Sequence, residues 1–211
     1  GFNKWISLYQ AIALIGARLD LAFVGGLSDA HALGLYGAAS KVSGLMSVAA
    51  SSYMTVLLPE MSASLSSESF RRKQRNAFAV VGLIAGGILL IMLVADPLVR
   101  MLFGSEFSDA GSVLRILCVG LLLTVAAYPI NASLFALGRS AVFPLMSAVS
   151  VPAFVVGNLL LVPRFGADGA AMAYTISAGV ALLVPASYYF VTRKSLRASF
   201  PGERTAEKGK P

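Results

Sequence analysis

The chain has 211 residues, 57% hydrophobic and 13% charged, with a formal net charge of +7 and a mean hydropathy of +0.77. A soluble domain carries roughly 45–50% apolar and about 25% charged residues, so the composition excludes an ordinary water-soluble globule and points to a membrane protein. A single Cys and a single His exclude an internal disulfide and a protein-only zinc site, and basic residues gathered in the polar breaks and the tail argue for charge-directed membrane orientation, not for nucleic acid.

A bilayer core of about 30 Å takes roughly 20 helical residues, and six runs of that kind are predicted. The first covers 5–27. It follows "GFNKWISLYQ", a start without Met, and is too long and too polar in its centre for a signal peptide. The chain is therefore expected to be a piece of a longer protein or a processed product. The second run covers 33–58 and is expected to stop at Pro59. The third covers 77–95, before Asp96-Pro97; the others are 112–137, 141–162 and 167–191. Strand alternation is absent, so helices are the expected way of satisfying the backbone in lipid. The fold class is all-α integral membrane, with 1–191 as one six-helix unit. The basic stretch 192–211, with Pro and Gly, is expected to be a disordered tail. Between spans, "PLVRMLFG" has the spacing of a short interfacial helix. The 59–76 stretch ends in a basic cluster that anionic headgroups would attract.

If six helices alternate, Lys4, Arg71, Arg72, Lys73, Arg75, Arg139 and the basic tail fall on one side. Only Arg100 and Arg164 lie in loops of the other. That asymmetry predicts a multi-pass protein with both ends cytoplasmic.

Charges within the spans are the candidate site. Arg18 and Asp20 stand two positions apart, about 200° around a helix, so they do not pair with each other. Asp20 shares a face with the small residues Ala13, Gly16 and Ala17. Lys41 lies on a second-span stripe with Gly34, Gly37, Ala38, Gly44 and Ser51. Small faces let helices approach, which would bring Lys41 within reach of Asp20. Two readings stay open. Asp20 pairs with Lys41 while Arg18 reaches a carbonyl or the interface; or these residues line a polar cavity for an anionic ligand, with Asp20 available to a coupling Na+ or H+. Weaker candidates are Arg115, which can snorkel to an interface, and Asn131 and Asn158, each near a Pro that frees backbone groups. Gly82 and Gly86 form a G-x-x-x-G expected to be a packing face. No nucleophile–base pair, phosphate loop, dinucleotide fingerprint or zinc-protease motif is present, so neither an enzyme nor a resident metal or organic cofactor is expected.

"RLDLAFVGGLSDAHALGLYGAASKV", "LLPEMS", "LFGSEFSDAGSVLRIL", "NASLFALGRS" and "LVPRFGADGAAMAYTIS", in this order, resemble the C-terminal half of polysaccharide flippases. These are the O-antigen and lipid-linked oligosaccharide transporters of the MOP superfamily. The resemblance covers about residues 15–180. It implies one lobe of a two-lobe, MATE-like transporter of a bacterial inner membrane, with the N-terminal lobe absent. It further implies alternating access and a cavity between lobes suited to undecaprenyl-pyrophosphate-linked oligosaccharide. Arg18 and Lys41 would sit at that cavity. The bilayer and the missing lobe are implied partners, with glycosyltransferases or a polymerase of the same pathway as further ones. A multidrug or metabolite exporter of the superfamily, and a non-transporting scaffold for glycan-assembly enzymes, are the alternatives.

Overall fold

The computed structural model describes residues 19–63, 67–139 and 141–197. Its regular structure is helical. Helix α1 is described over 19–27, so most of the first expected span, with Arg18, lies outside the described residues. Ser28 and Asp29 turn the chain into α2, Ala30–Ser62. The turn is cheap because the Asp29 carboxylate accepts from Ala32 N at 2.7 Å, an N-cap worth about 1 kcal/mol.

Helix α2 does not stop at Pro59. Proline interrupts a helix by losing its own N–H and crowding the preceding turn, but only the last few residues lie beyond it. Their carbonyls are satisfied locally. Ala63 N donates to Pro59 O at 2.9 Å, Ser62 Oγ to Leu58 O at 2.9 Å, and Lys73 Nζ to Glu60 O at 2.7 Å. Helix α3, Ser67–Leu93, starts four residues past the helix end. The basic stretch at 59–76 is thus the ends of two long helices and not a separate surface element. With 33 residues, α2 reaches about 50 Å, well past a hydrocarbon core of about 30 Å.

Helix α4, Ala95–Phe103, is the short amphipathic element at "PLVRMLFG". Ala95 and Val99 are buried, while Met101 and Leu102 are exposed. A 3-10 turn over Ser105–Phe107 leads into α5, Ala110–Ala136. Helix α5 is the hub: 56% of its most apolar stretch is buried, against 17% in α2 and α3. Its partners are α2, α3, α4 and α6.

Helix α6, Val142–Arg197, is one element only by helical hydrogen bonding; Gly166, at φ 54° and ψ −124°, breaks it into two arms. That positive φ is open to glycine at little cost. The arms fold back on each other, with Gly157 against Ala173 and Gly169 against the Leu161 backbone. Ser177 Oγ ties them by donating to Ser150 O at 2.9 Å. The helix runs to Arg197, so the first residues of the expected tail are helical; 198–211 lie outside the described residues.

Among the described residues, four helices are long and apolar enough to cross a membrane, α6 counted with both arms. Large apolar side chains face outward, among them Leu45, Leu83, Leu93 and Val191, as a lipid-facing surface requires. The turns at 28–29, 94–109 and 166 gather at one end, where they line a common cleft. At the other end the Gln74 amide exchanges hydrogen bonds with the Tyr189 hydroxyl (2.9 and 3.2 Å) and donates to Ser133 Oγ at 3.1 Å. That node joins α3, α5 and α6. Arg71, Arg72 and Arg75 stand exposed at this basic end.

Candidate functional site

The intramembrane charges are arranged differently from the expected pair. Asp20 is half-buried on α1 and does not contact Lys41. Its Oδ2 accepts from the Tyr36 hydroxyl at 2.9 Å, and its Oδ1 from Leu21 N at 2.8 Å. Tyr36 is 1% exposed. Tyr36 and Lys41 lie five positions apart on α2, about 140° around the helix. A helix that turns Tyr36 toward α1 must therefore turn Lys41 away, and Lys41 is exposed. Helix spacing brought the Lys41 stripe into register with Asp20; the tyrosine on the adjoining face took the contact.

Tyr36 is the residue that spacing alone missed. Its signal was chemical: a phenol inside an apolar run needs a partner for its O–H. Tyr174, on the second arm of α6, lies within electrostatic reach of Asp20. Its hydroxyl is 3.5 Å from Thr124 Oγ1. Asp20, Tyr36, Tyr174 and Thr124 thus form a polar track from α1 and α2 to α5 and α6. Ser40 Oγ, one turn from Tyr36, is buried without a hydrogen-bond partner among the described residues. The track consists of two hydrogen-bonded pairs, Asp20 with Tyr36 and Tyr174 with Thr124, and offers a polar, carboxylate-bearing surface within the bundle.

Arg115, expected to snorkel to an interface, has a side-chain partner. It forms an ion pair with Asp96 at the head of α4, both side chains about two-fifths exposed. A pair so exposed contributes roughly 0–1 kcal/mol and serves mainly to hold the α4 head against α5. It sits in the cleft of about 650 Å³ where the turns gather, with Asp29, His31, Arg100, Asp109 and Asp168 around it. Ser112 Oγ donates to Asp168 Oδ1 there at 3.0 Å. Among the described residues, no group of three or more His, Cys, Asp or Glu side chains could hold a metal ion.

The asparagines belong to the helix interior. Asn158 is fully buried; its Nδ2 donates to Phe154 O at 2.9 Å. The Oδ1 atoms of Asn158 and Asn131 are buried without partners among the described residues. Neither lies in the cleft or on the Asp20 track. Gly82 and Gly86 pack against nothing among the described residues: no such atom outside the helix lies within 4 Å of where a Cβ would stand.

The chain has relatives among known proteins. It is 24% identical over 194 residues to the capsular polysaccharide biosynthesis protein CapF of Staphylococcus aureus, covering 90% of this chain and 48% of that one. It is 25% identical to the probable low-salt glycan biosynthesis flippase Agl15 of Haloferax volcanii, covering 86% and 40%. To the putative O-antigen transporter of Shigella flexneri it is 20% identical, covering 83% and 42%. The chain thus spans about half or less of the length of each relative. No solved structure matches it significantly. The family model described as polysaccharide biosynthesis protein matches residues 1–112. Helices long and apolar enough to cross a membrane, a family match over half the chain and relatives named for polysaccharide or glycan biosynthesis and O-antigen transport agree: the chain belongs to the polysaccharide biosynthesis protein family.

Proposed function

We propose that the chain is one lobe of a two-lobe flippase in a bacterial inner membrane. The flippase moves undecaprenyl-pyrophosphate-linked oligosaccharide outward by alternating access, with both ends of this segment cytoplasmic. The observation that carries the reading is Lys41, a cation without a partner among the described residues, exposed twelve residues into a spanning helix. A charge deep in lipid costs roughly 2.5–3.5 kcal/mol on insertion scales and therefore faces water or protein. Gly44, Ser51, Ser52 and Thr55 are exposed further along α2 and suit a wet wall, interleaved with the exposed apolar Leu45 and Val48. A second lobe opposite would complete the cavity, and the ammonium would attract the pyrophosphate. Arg18, two residues before the Asp20 track, is assigned the same role. Asp20, with its two tyrosines, is the place for a coupling Na+ or H+. No covalent step is involved; the lobes rock around the bound lipid-linked sugar. Glycosyltransferases or the polymerase of the same pathway are the proposed neighbours in the membrane.

In the intact gene product, Lys41→Ala should insert and accumulate normally but export at most about a tenth of the surface polysaccharide, the loss expected when a charge-assisted phosphate contact is removed. Wild-type export by that variant would sink the cavity assignment. An acid beside tyrosines also suits organic cations, which favours a multidrug or metabolite exporter as the second reading. Drug susceptibility of a deletion strain with unchanged surface polysaccharide would select it.

A further inference from the structure

We propose that the cleft at the turn end of the bundle is a saccharide subsite that takes neutral or amino sugars and rejects acidic ones. The proposal rests on the flippase reading and names the sugar chemistry for which this lobe is built. The cleft has about 650 Å³, inside the roughly 300–1,000 Å³ of small-molecule sites. Its walls come from three separate connections: Ser28 to Leu35, Asp96 to Arg115 and Phe165 to Asp168.

The lining has the two chemistries that saccharides need. Their hydroxyls both donate and accept, so planar carboxylates and guanidiniums bind them well. Their C–H faces lie on aromatic rings. Phe165 supplies such a ring. It stands 53% exposed on the cleft wall, held beside the Gly166 turn, whereas the other apolar lining residues, Ala32, Leu35, Val113 and Ala167, are buried. The acceptors are fixed in advance. Asp96 is held by Arg115, Asp168 by Ser112 and Asp29 by its own cap bond. A carboxylate has about four acceptor positions, so each retains capacity for a ligand, and groups already ordered lose little freedom on binding. Arg100 and His31 are exposed on two of the walls and make no side-chain hydrogen bond among the described residues, so they can donate.

Charge sets the selectivity. Four carboxylates (Asp29, Asp96, Asp109 and Asp168) face two guanidiniums (Arg100 and Arg115) in the lining. The excess is negative, which disfavours uronic acids and tolerates ammonium groups. These carboxylates are spread around the walls and do not converge on a point, in keeping with the lack of a metal-holding group among the described residues.

The test uses the intact gene product in lipid nanodiscs, titrated with N-acetylglucosamine, glucosamine and glucuronate by saturation-transfer NMR. The first two should bind, and glucuronate should bind about tenfold more weakly or not at all. Phe165→Leu should weaken N-acetylglucosamine about fivefold to tenfold, and Phe165→Tyr, which keeps the ring, should restore it. Asp168→Asn should narrow the gap to glucuronate. No binding of N-acetylglucosamine, equal binding of glucuronate, or indifference to Phe165→Leu overturns the subsite. Export separates this from the reading beneath it. Export lost in Lys41→Ala, with sugar binding unmoved by Phe165→Leu, removes the subsite and leaves the flippase. Sugar binding that depends on Phe165, in a strain whose surface polysaccharide survives deletion of the gene, removes the flippase and leaves the subsite.

Discussion

Asp20 shows how a spanning helix accommodates a carboxylate. An ion pair with lysine would require desolvating two charges, whose mutual attraction only partly offsets the cost. A tyrosine hydroxyl instead supplies a short hydrogen bond from a side chain that is itself at home among apolar groups. The 2.9 Å contact between Tyr36 and Asp20 is therefore expected to be structural as well as available to function. Tyr36→Phe should lower stability by roughly 1–2 kcal/mol, between the range for charged acceptors and the smaller values found between helices in membranes. In an Asp20→Asn background the same substitution should cost clearly less. A double-mutant cycle by denaturation in detergent measures the difference, and strict additivity would mean the bond carries no weight. Lys41, in contrast, has no hydrogen bond or ion pair among the described residues, and its substitution should leave stability nearly unchanged.

Between elements, close approach takes the place of the hydrophobic effect, since lipid is as apolar as any core. Helix α5 meets the second arm of α6 where a Cβ on Gly120 would come within 2.6 Å of the Tyr174 ring. Thr175 Oγ1 donates across the same seam to Ile116 O at 2.9 Å. The arms of α6 meet as closely at Gly169, where a Cβ would stand 2.4 Å from Leu161 O. Backbone cannot swing aside as a side chain can. Gly169→Ala should therefore cost about 1–3 kcal/mol by overpacking. Gly82→Ala, in open surroundings, should gain about 0.5–1 kcal/mol from helix propensity alone. Thermal denaturation of the two variants in the same detergent checks the opposite signs; a stabilised Gly169→Ala would mean the α6 hairpin is not packed as described. A G-x-x-x-G pattern tells only that close packing is allowed. Whether a neighbour occupies the face is decided elsewhere in the chain.

Across the whole molecule the two ends differ in charge. One carries Arg71, Arg72, Lys73, Arg75 and Arg139; the other carries Asp29, Asp96, Glu106, Asp109 and Asp168 with three arginines. With basic ends cytoplasmic, a maleimide that cannot cross membranes should label Ser105→Cys in whole cells and label Arg72→Cys only after permeabilisation. A Cys118→Ala background keeps the buried native thiol silent, and the reverse pattern would invert the orientation. The all-helical membrane character, the short element at "PLVRMLFG", the break at Gly166 and the family itself were legible in the sequence. Hydropathy runs, a turn glycine and ordered motifs are local properties that neighbours do not rewrite. The continuation of α2 through Pro59, the loss of the Asp20–Lys41 pair, the partner of Arg115 and the open face at Gly82 were not legible. Each depends on which side chain of a distant helix arrives first. The sequence by itself determined that charges would lie in the spans and most of the basic residues at one end. Only the tertiary structure decided that Tyr36 meets Asp20, that Lys41 is left facing outward, and that three separate turns close around one cleft. Helical spacing sets the face on which a residue stands, but the rotation of each helix is chosen by packing summed over its whole length.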